Sequence, residues 1–494
     1  MKKILTLFLF AFIFTSFIAC DAFIIPENIS TEEPVTDDNE LTTSKPITED
    51  LTSDPSSTDV DITHSQPFTP EGYSLLQDEL ESFGIPSIGS VNVLVFAVDF
   101  PDSKHSSSQA SIDDIETAFN GSSNDLDFES VRSYYQKSSY DQLHINADVY
   151  GYYTLSKTAS YYERESEKYM EVDPYTGEYI YDEDEVTHVE SDIINELLTH
   201  YDDQINYSDY DSNDDGFIDG IYLIYNHPSE PDTDLWWAYQ YNYAYNDLNQ
   251  SSFDGVSPDY YTWASNDFLN EGDDDINART YIHETGHMLG LDDYYDYSTE
   301  DTYNNGGLGT YMMDYTIGDH DPFSKILLGW VKPIVIESSA TIDISSSIES
   351  QDVLLIIDEW KGTIFDEYLL LTYYKPIGLN SYDPEFIFTQ SGINIFHVSA
   401  EIGDGYLTDS YYYSIFNHNN TDTEDKLIDI IEADMNENIE ELGIVENSDL
   451  FQEGQVLNYS IYPSYRWYDD RLINFTVSID HITYEKARIT ISYK

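Results

Sequence analysis

The stretch HETGHMLGLDD, running from His283 to Asp293, decides how the rest of the chain is read. On a helix, residues four apart project from one face about 6 Å from each other, so His283 and His287 can share one metal ion. Glu284 stands beside them, where a carboxylate can take a proton from attacking water. A buried histidine pair without a metal would leave that carboxylate as a charge without a purpose inside the protein. Gly290 allows the helix to end and the chain to turn sharply, which brings Asp293 back toward the imidazoles as a third ligand. Asp292 and Asp296 lie close enough in sequence to compete for that role. The helix itself is expected over Asn277 to Leu289, with Ala278, Tyr281, Ile282 and Leu289 turned inward.

Downstream, a glycine-rich turn (Asn304 to Gly309) leads into Tyr311-Met312-Met313-Asp314-Tyr315. Asp321-Pro322 then starts a short helix, since aspartate caps and proline suits the first turn, and Gly329 stops it before Trp330. From about Val331 the pattern changes to short apolar runs that read as strands: Val353 to Ile357, Glu367 to Tyr374, Gly392 to Val398, Lys426 to Ala433, Val456 to Tyr462 and Phe475 to Tyr493. This is a β-rich C-terminal part, either a separate sandwich or a sheet docked on the preceding region.

Upstream, the run Val91 to Phe100 suits a buried strand. Phe128 to Leu143 follows as helix and turn, His144 to Tyr153 alternates like a strand, and Val186 to Tyr201 has helical periodicity. The loop DSNDDGFIDG (Asp211 to Gly220) offers Asp211, Asn213, Asp215 and Asp219 as oxygen ligands with Gly216 at the sharp turn, matching the first nine positions of a calcium loop. Position twelve departs from that pattern, because Tyr222 stands where a bidentate glutamate belongs and GIYLIYN continues as a strand. Trp236, Trp237 and the tyrosines after them suit aromatic packing better than the wall of a cleft.

The N-terminus has a different character. Lys2 and Lys3 precede the apolar run Ile4 to Ala19, too short for a full membrane span but suited to a secretory signal. Phe17-Ile18-Ala19-Cys20 looks like a bacterial lipoprotein processing site, with Cys20 as the lipidated residue; an ordinary signal or an uncleaved anchor is the alternative. Cys20 is the one cysteine in 494 residues, so no intramolecular disulfide and no cysteine metal site can form. Residues 21–66, rich in Ser, Thr, Pro, Asp and Glu, lack the apolar surface to fold and read as a stalk. Order is expected to begin between Pro67 and Gly89, with a short helix over Tyr73 to Phe83. The 95 acidic against 20 basic residues give a net charge of -75, which argues against nucleic acid and against charge-driven binding to anionic lipid.

These motifs carry a resemblance. HETGHMLGLDD resembles the metzincin pattern His-Glu-x-x-His-x-x-Gly-x-x-His/Asp in its aspartate variant, and Met313 followed by Tyr315 resembles the Met-turn and its nearby tyrosine. VLVFAVDFPD (Val93 to Asp102), SVRSYYQKSSYDQL, the Asp/Gly loop before IYLIYN, GLDDYYD and DPFSKILLGW are together similar to the immune inhibitor A-like family of secreted bacterial metallopeptidases. The likeness covers roughly residues 90 to 335 and continues more weakly through GINIFHV, DIIEAD and Asp449-Leu450-Phe451.

The resemblance implies an α+β, metzincin-like zinc peptidase domain over 67–335, a twisted mixed sheet with an active-site helix, followed by a β-rich domain over 336–494. It implies zinc on His283, His287 and Asp293, Glu284 as general base and Met313 as a soft floor, with Tyr315 as a hydrogen-bond donor to the tetrahedral oxyanion or a displaceable ligand. The expected activity is hydrolysis of extracellular protein or peptide substrates, with Zn2+ and also Ca2+ as cofactors. The enzyme would sit on the outer face of a bacterial membrane, anchored through Cys20 and held off by the stalk. The alternative from another class is a catalytically inactive, calcium-stabilised adhesin or binding lipoprotein on a peptidase fold. The intact Glu284 favours the enzyme, because a pure binding protein needs no base beside the ligands. A metal-uptake lipoprotein would call for a closed ligand set and a two-lobed body, and neither is indicated.

Overall fold

A computed structural model describes residues 84–494 apart from 167–170, 173–178, 181–188, 231–234, 244–251, 271–274, 296–306, 383–385, 403–415, 421–424, 437, 440–442 and 464. The signal segment, Cys20, the stalk, the helix expected over Tyr73 to Phe83 and Asp296 therefore lie outside the described residues. Among the described residues no helix is long and apolar enough to cross a membrane.

The chain is α+β. The first sheet starts with β1 (Gly89–Asp99), whose last seven residues are all buried. An uninterrupted apolar run of this kind belongs to a parallel strand covered on both faces. The chain then forms α1 (Ile112–Asn120) and α2 (Val131–Ser138) before β2 (Leu143–Thr154), which pairs parallel with β1. Next come α3 (Ala159–Ser166), a two-stranded ladder of β3 (Glu171–Val172) and β4 (Tyr179–Ile180), and α4 (Val189–Tyr201). The sheet is completed by β5 (Ile221–Tyr225), β6 (Tyr239–Asn242) and β7 (Tyr260–Ser265) in the order β2-β1-β5-β7-β6, with only the edge strand β6 antiparallel.

Helix α1 was not anticipated by the periodicity around residue 110, although its start is written locally. Ser111 accepts from the Asp114 amide and the Asp114 side chain returns to the Ser111 amide, a complete capping box. Trp236 and Trp237 are buried in the core, Trp236 edge-on to Phe100 at 5.5 Å, in line with packing rather than a cleft.

The helix bearing the opening motif is α5 (Arg279–Met288). Three buried tyrosines fasten it. Tyr281 donates from the helix to the Ser265 carbonyl (2.7 Å), Tyr135 from α2 donates to the Ile282 carbonyl (2.6 Å), and Tyr222 from β5 meets the Thr285 hydroxyl at 2.8 Å. Because Thr285 donates its own proton to the Tyr281 carbonyl, Tyr222 must be the donor in that last contact. Each hydroxyl is satisfied while its ring fills the core, which is one structural use of a composition holding 45 tyrosines.

After α5 come α6 (Met312–Tyr315) and α7 (Pro322–Leu327), the latter capped by Asp321 through the Phe323 and Ser324 amides at 2.9 and 3.0 Å. The C-terminal part is two sheets. One orders β8 (Ile334–Ile336), β10 (Leu354–Ile356), β11 (Glu367–Tyr374), β12 (Gly392–Ser399) and β13 (Ile428–Ile430) as β13-β12-β11-β10-β8. The other orders β9 (Ala340–Ser345), β14 (Val456–Leu457), β15 (Phe475–Ile482) and β16 (Lys486–Tyr493) as β14-β15-β16-β9.

The middle sheet packs in two directions. On β11 and β12, Leu369, Leu371, Ile393 and Ile395 face the second sheet's Val477, Ile489 and Ile491, while Leu370, Tyr374, Phe396 and Val398 join the core of the preceding region. The middle sheet is therefore buried on both faces, and one continuous core runs across the boundary near residue 335. The run Val456 to Tyr462 yields only a two-residue strand. The Asn458 side chain accepts from the Ser460 and Ile461 amides at 2.8 and 3.1 Å, which diverts the backbone into a turn.

Candidate metal centre

His283 and His287 lie one helical turn apart on α5, with ring centroids 4.9 Å apart and planes at 81°. The Nδ1 of His283 is 2.8 Å from the Met312 carbonyl, and the Nδ1 of His287 is 2.8 Å from the Leu291 carbonyl. A carbonyl only accepts, so both rings carry a proton on Nδ1 and turn Nε2 toward each other, 3.2 Å apart. Backbone carbonyls thus fix the tautomer and ring angle of both histidines, as they do behind metal-ligating imidazoles.

The third group arrives through the end of the helix. Gly290 has φ +86, its amide bonds the His287 carbonyl (2.9 Å), and the Leu291 amide bonds the Gly286 carbonyl (3.1 Å). These two bonds define a Schellman turn, which reverses the chain so that Asp293 returns over the rings. Its Oδ1 is 2.9 Å from Nε2 of His283 and its Oδ2 is 3.3 Å from Nε2 of His287. Three ligands held 2.0–2.1 Å from a tetrahedral zinc ion would be about 3.3 Å apart, so the donor set and its spacing fit that ion. Asp293, not Asp292, joins the two histidines in the group whose ligand atoms lie within 4.8 Å of one another.

A proton competes for the same atoms. Burial opposes a charge on His287, but the Asp293 carboxylate outweighs it and pushes the imidazolium up to about 10. Asp293 in turn is held well below the usual carboxylate range by the two rings, against its own burial.

Replacing Gly290 by alanine forces an L side chain into the left-handed region, at about 1–2 kcal/mol. The expected result is a lower denaturation midpoint together with weaker zinc binding, because the same turn carries Asp293; asparagine, which tolerates that region, should recover most of both. Unchanged zinc affinity in Gly290→Ala would separate the turn from the ligand.

Beneath the rings lies α6, whose approaches depart from ordinary backbone: Tyr311 has φ +81 and Thr316 φ +54. The Met313 sulfur packs against Gly286, so closely that a Cβ added there would stand 2.3 Å from Sδ. Gly286, between the two histidines, is what lets the floor approach. The turn is held from three sides. The Tyr294 amide bonds the Met313 carbonyl (2.9 Å), the Met312 amide bonds the Asp319 carbonyl (3.2 Å), and the Asp319 carboxylate pairs with buried Lys325 at 2.5 Å. Asp319 also accepts from Ser138 on α2 at 2.6 Å.

Glu284 and His283 are fully buried, and of the four motif side chains His287 is the most open, at 14%. The charge of Glu284 is felt by His287 and by the hydroxyls of Tyr135 and Tyr222. Tyr315 ends α6 with its ring stacked on Phe386 at 5.6 Å.

In the loop read as a calcium site, Asp211 accepts from the Asp215 and Gly216 amides at 3.0 Å each, and Asp219 from Ser212 at 3.0 Å. Asp211, Asp215 and Asp219 are not brought together within 4.8 Å, and burial, with Asp211 and Asp215 nearby, pushes the Asp219 carboxyl up to about 7. Nothing local in the chain signals the Met312 carbonyl, Gly286 as a contact or the Asp319–Lys325 pair, since a lysine on a short helix reads as solvent-facing.

No protein-family model matches the chain, and no curated protein matches it.

Proposed function

We propose that the chain is a zinc-dependent endopeptidase of metzincin-like fold, related to the immune inhibitor A-like peptidases. It would be displayed on the outer face of a bacterial membrane through a lipidated Cys20 and act on extracellular proteins. The observation that carries this reading is the convergence of His283 Nε2, His287 Nε2 and the Asp293 carboxylate at spacings of 2.9–3.3 Å, in a helix that also bears Glu284.

Zinc, when bound, supplies a Lewis acid that acidifies water and polarises the scissile carbonyl. His283, His287 and Asp293 hold it, and three protein ligands leave a coordination position open, as catalytic rather than structural sites do. Glu284 takes the proton of the attacking water and delivers it to the leaving amine. The Met312 and Leu291 carbonyls keep the rings from turning, and Met313 packs beneath Gly286. Tyr315 is assigned to hydrogen-bond the developing oxyanion.

The test is casein hydrolysis by the full chain. Chelation should abolish it and zinc should restore it, with one zinc bound per chain. Hydrolysis indifferent to chelation, or a chain that takes up no zinc, would overturn the reading.

A further inference from the structure

The segment between β13 and β14 brings a second set of carboxylates together. Glu432 and Asp434 leave the end of β13, and Asp449 comes back beside them, its carbonyl accepting from the Ala433 amide at 3.0 Å. Among the described residues, these three form the one group besides His283, His287 and Asp293 whose ligand atoms all lie within 4.8 Å of one another.

Asp449 supplies the independent observation. It is fully buried, and although one oxygen accepts from the Glu446 amide at 2.7 Å, Oδ1 is shut away from solvent with no hydrogen-bond partner among the described residues. A buried carboxylate oxygen left in this state costs on the order of 1–3 kcal/mol, more when charged, unless something binds it. The charged groups that bear on it, Glu432, Asp434 and Glu446, are all acidic. Near neutral pH the cluster is therefore short of positive charge.

We propose that Glu432, Asp434 and Asp449 bind a calcium ion. The set is all oxygen, which suits a hard cation and not zinc. Oxygens 2.3–2.6 Å from a common centre are at most about 5 Å apart, and the three carboxylates meet that limit. Glu432 is oriented by the Ile439 and Asn438 amides at 3.0 and 3.2 Å, and Asp434 by the Asn436 amide at 3.0 Å.

The ion would tie down more than its own loop. At Gly309 an added Cβ would meet Val445, Ile439 and the Gly443 carbonyl of this segment at 3.1–3.4 Å. Gly309 lies two residues before Tyr311, where the chain enters the turn that carries the Met312 carbonyl and Met313. Calcium here would back the floor of the zinc site, a consequence that rests on the proposed function, whereas calcium binding itself does not.

The experiment uses the full chain, stripped of metal and reloaded with zinc, then titrated with calcium up to about 10 mM, beyond the range of extracellular calcium modules. Calorimetry and thermal unfolding are both followed. The wild type should bind calcium and gain in Tm; Asp449→Asn should lose this binding event and its share of the Tm gain, and Asp219→Asn should keep them. Asp434→Asn, at a half-buried position that tolerates substitution, should weaken the same event by roughly tenfold or more and stands in if Asp449→Asn does not fold. A wild type with no response to calcium, or isotherms unchanged in Asp434→Asn and in any folded Asp449→Asn, would overturn the site. Because neither readout needs hydrolysis, failure of the calcium site and failure of the peptidase reading remain distinguishable.

Discussion

Glu284→Gln is expected to bind zinc as the wild type does and to lose at least 10²–10⁴-fold in the rate of peptide hydrolysis, the usual contribution of a positioned general base. The substitution keeps shape and burial, so α5, fixed by Tyr135, Tyr222 and Tyr281, has no reason to move. It removes only the capacity to take up a proton and release it to the amine. The loss should fall on kcat, since the amide still lines the same space, and zinc content should stay at one per chain. Hydrolysis near the wild-type rate in a zinc-loaded Glu284→Gln protein would sink the mechanism, whereas loss of zinc would show that Glu284 shapes the site rather than acting in it.

The second large effect concerns Asp293. Asp293→Ala removes the carboxylate that reaches both Nε2 atoms, and zinc affinity, measured by competition with a chelator of known strength, should fall by more than about 100-fold, exceeding the usual cost of losing an outer-shell partner. Asp292→Ala, one residue earlier and outside the converging group, should stay within a factor of about three, as half-exposed substitutions do. A spectroscopic marker accompanies the change. Without Asp293, burial still opposes the charge on His287 while the strongest group favouring it is gone, so in metal-free protein its imidazolium should give up its proton below the value of about 10 it holds in the pair. Equal zinc affinities in the two alanine variants would mean that Asp293 serves the histidines as a counter-ion and not the metal as a ligand.

The parts of this molecule legible from the chain alone are those whose cause is local. Two histidines four apart share a face because of the helical repeat, and the predicted helix over 277–289 is present at Arg279–Met288. The apolar run at 91–100 is a strand buried on both faces, Asp321-Pro322 begins a helix by capping its first amides, and Gly290 turns left-handed where the helix stops. Helix α1 is equally local: the Ser111 and Asp114 capping box starts it, and Ile115, Ala118 and Phe119 bury one face of it.

Other features depended on segments far apart in sequence. Which carbonyl fixes His283, why Gly286 has no side chain and why Lys325 is buried are settled by contacts of α5 with Met312 and Met313 and of Asp319 with Lys325 and with Ser138 of α2. The double use of β11 and β12, one face toward each neighbour, is of the same kind: a run apolar at every position says that both faces are covered, not by what. Local order along the chain carries most of the elements and the chemical character of the donors, since capping bonds and periodicity act between near neighbours. Which donors meet across the fold is set by packing, because Met312 to His283 and Asp449 to Glu432 are distances between segments that no local bond connects.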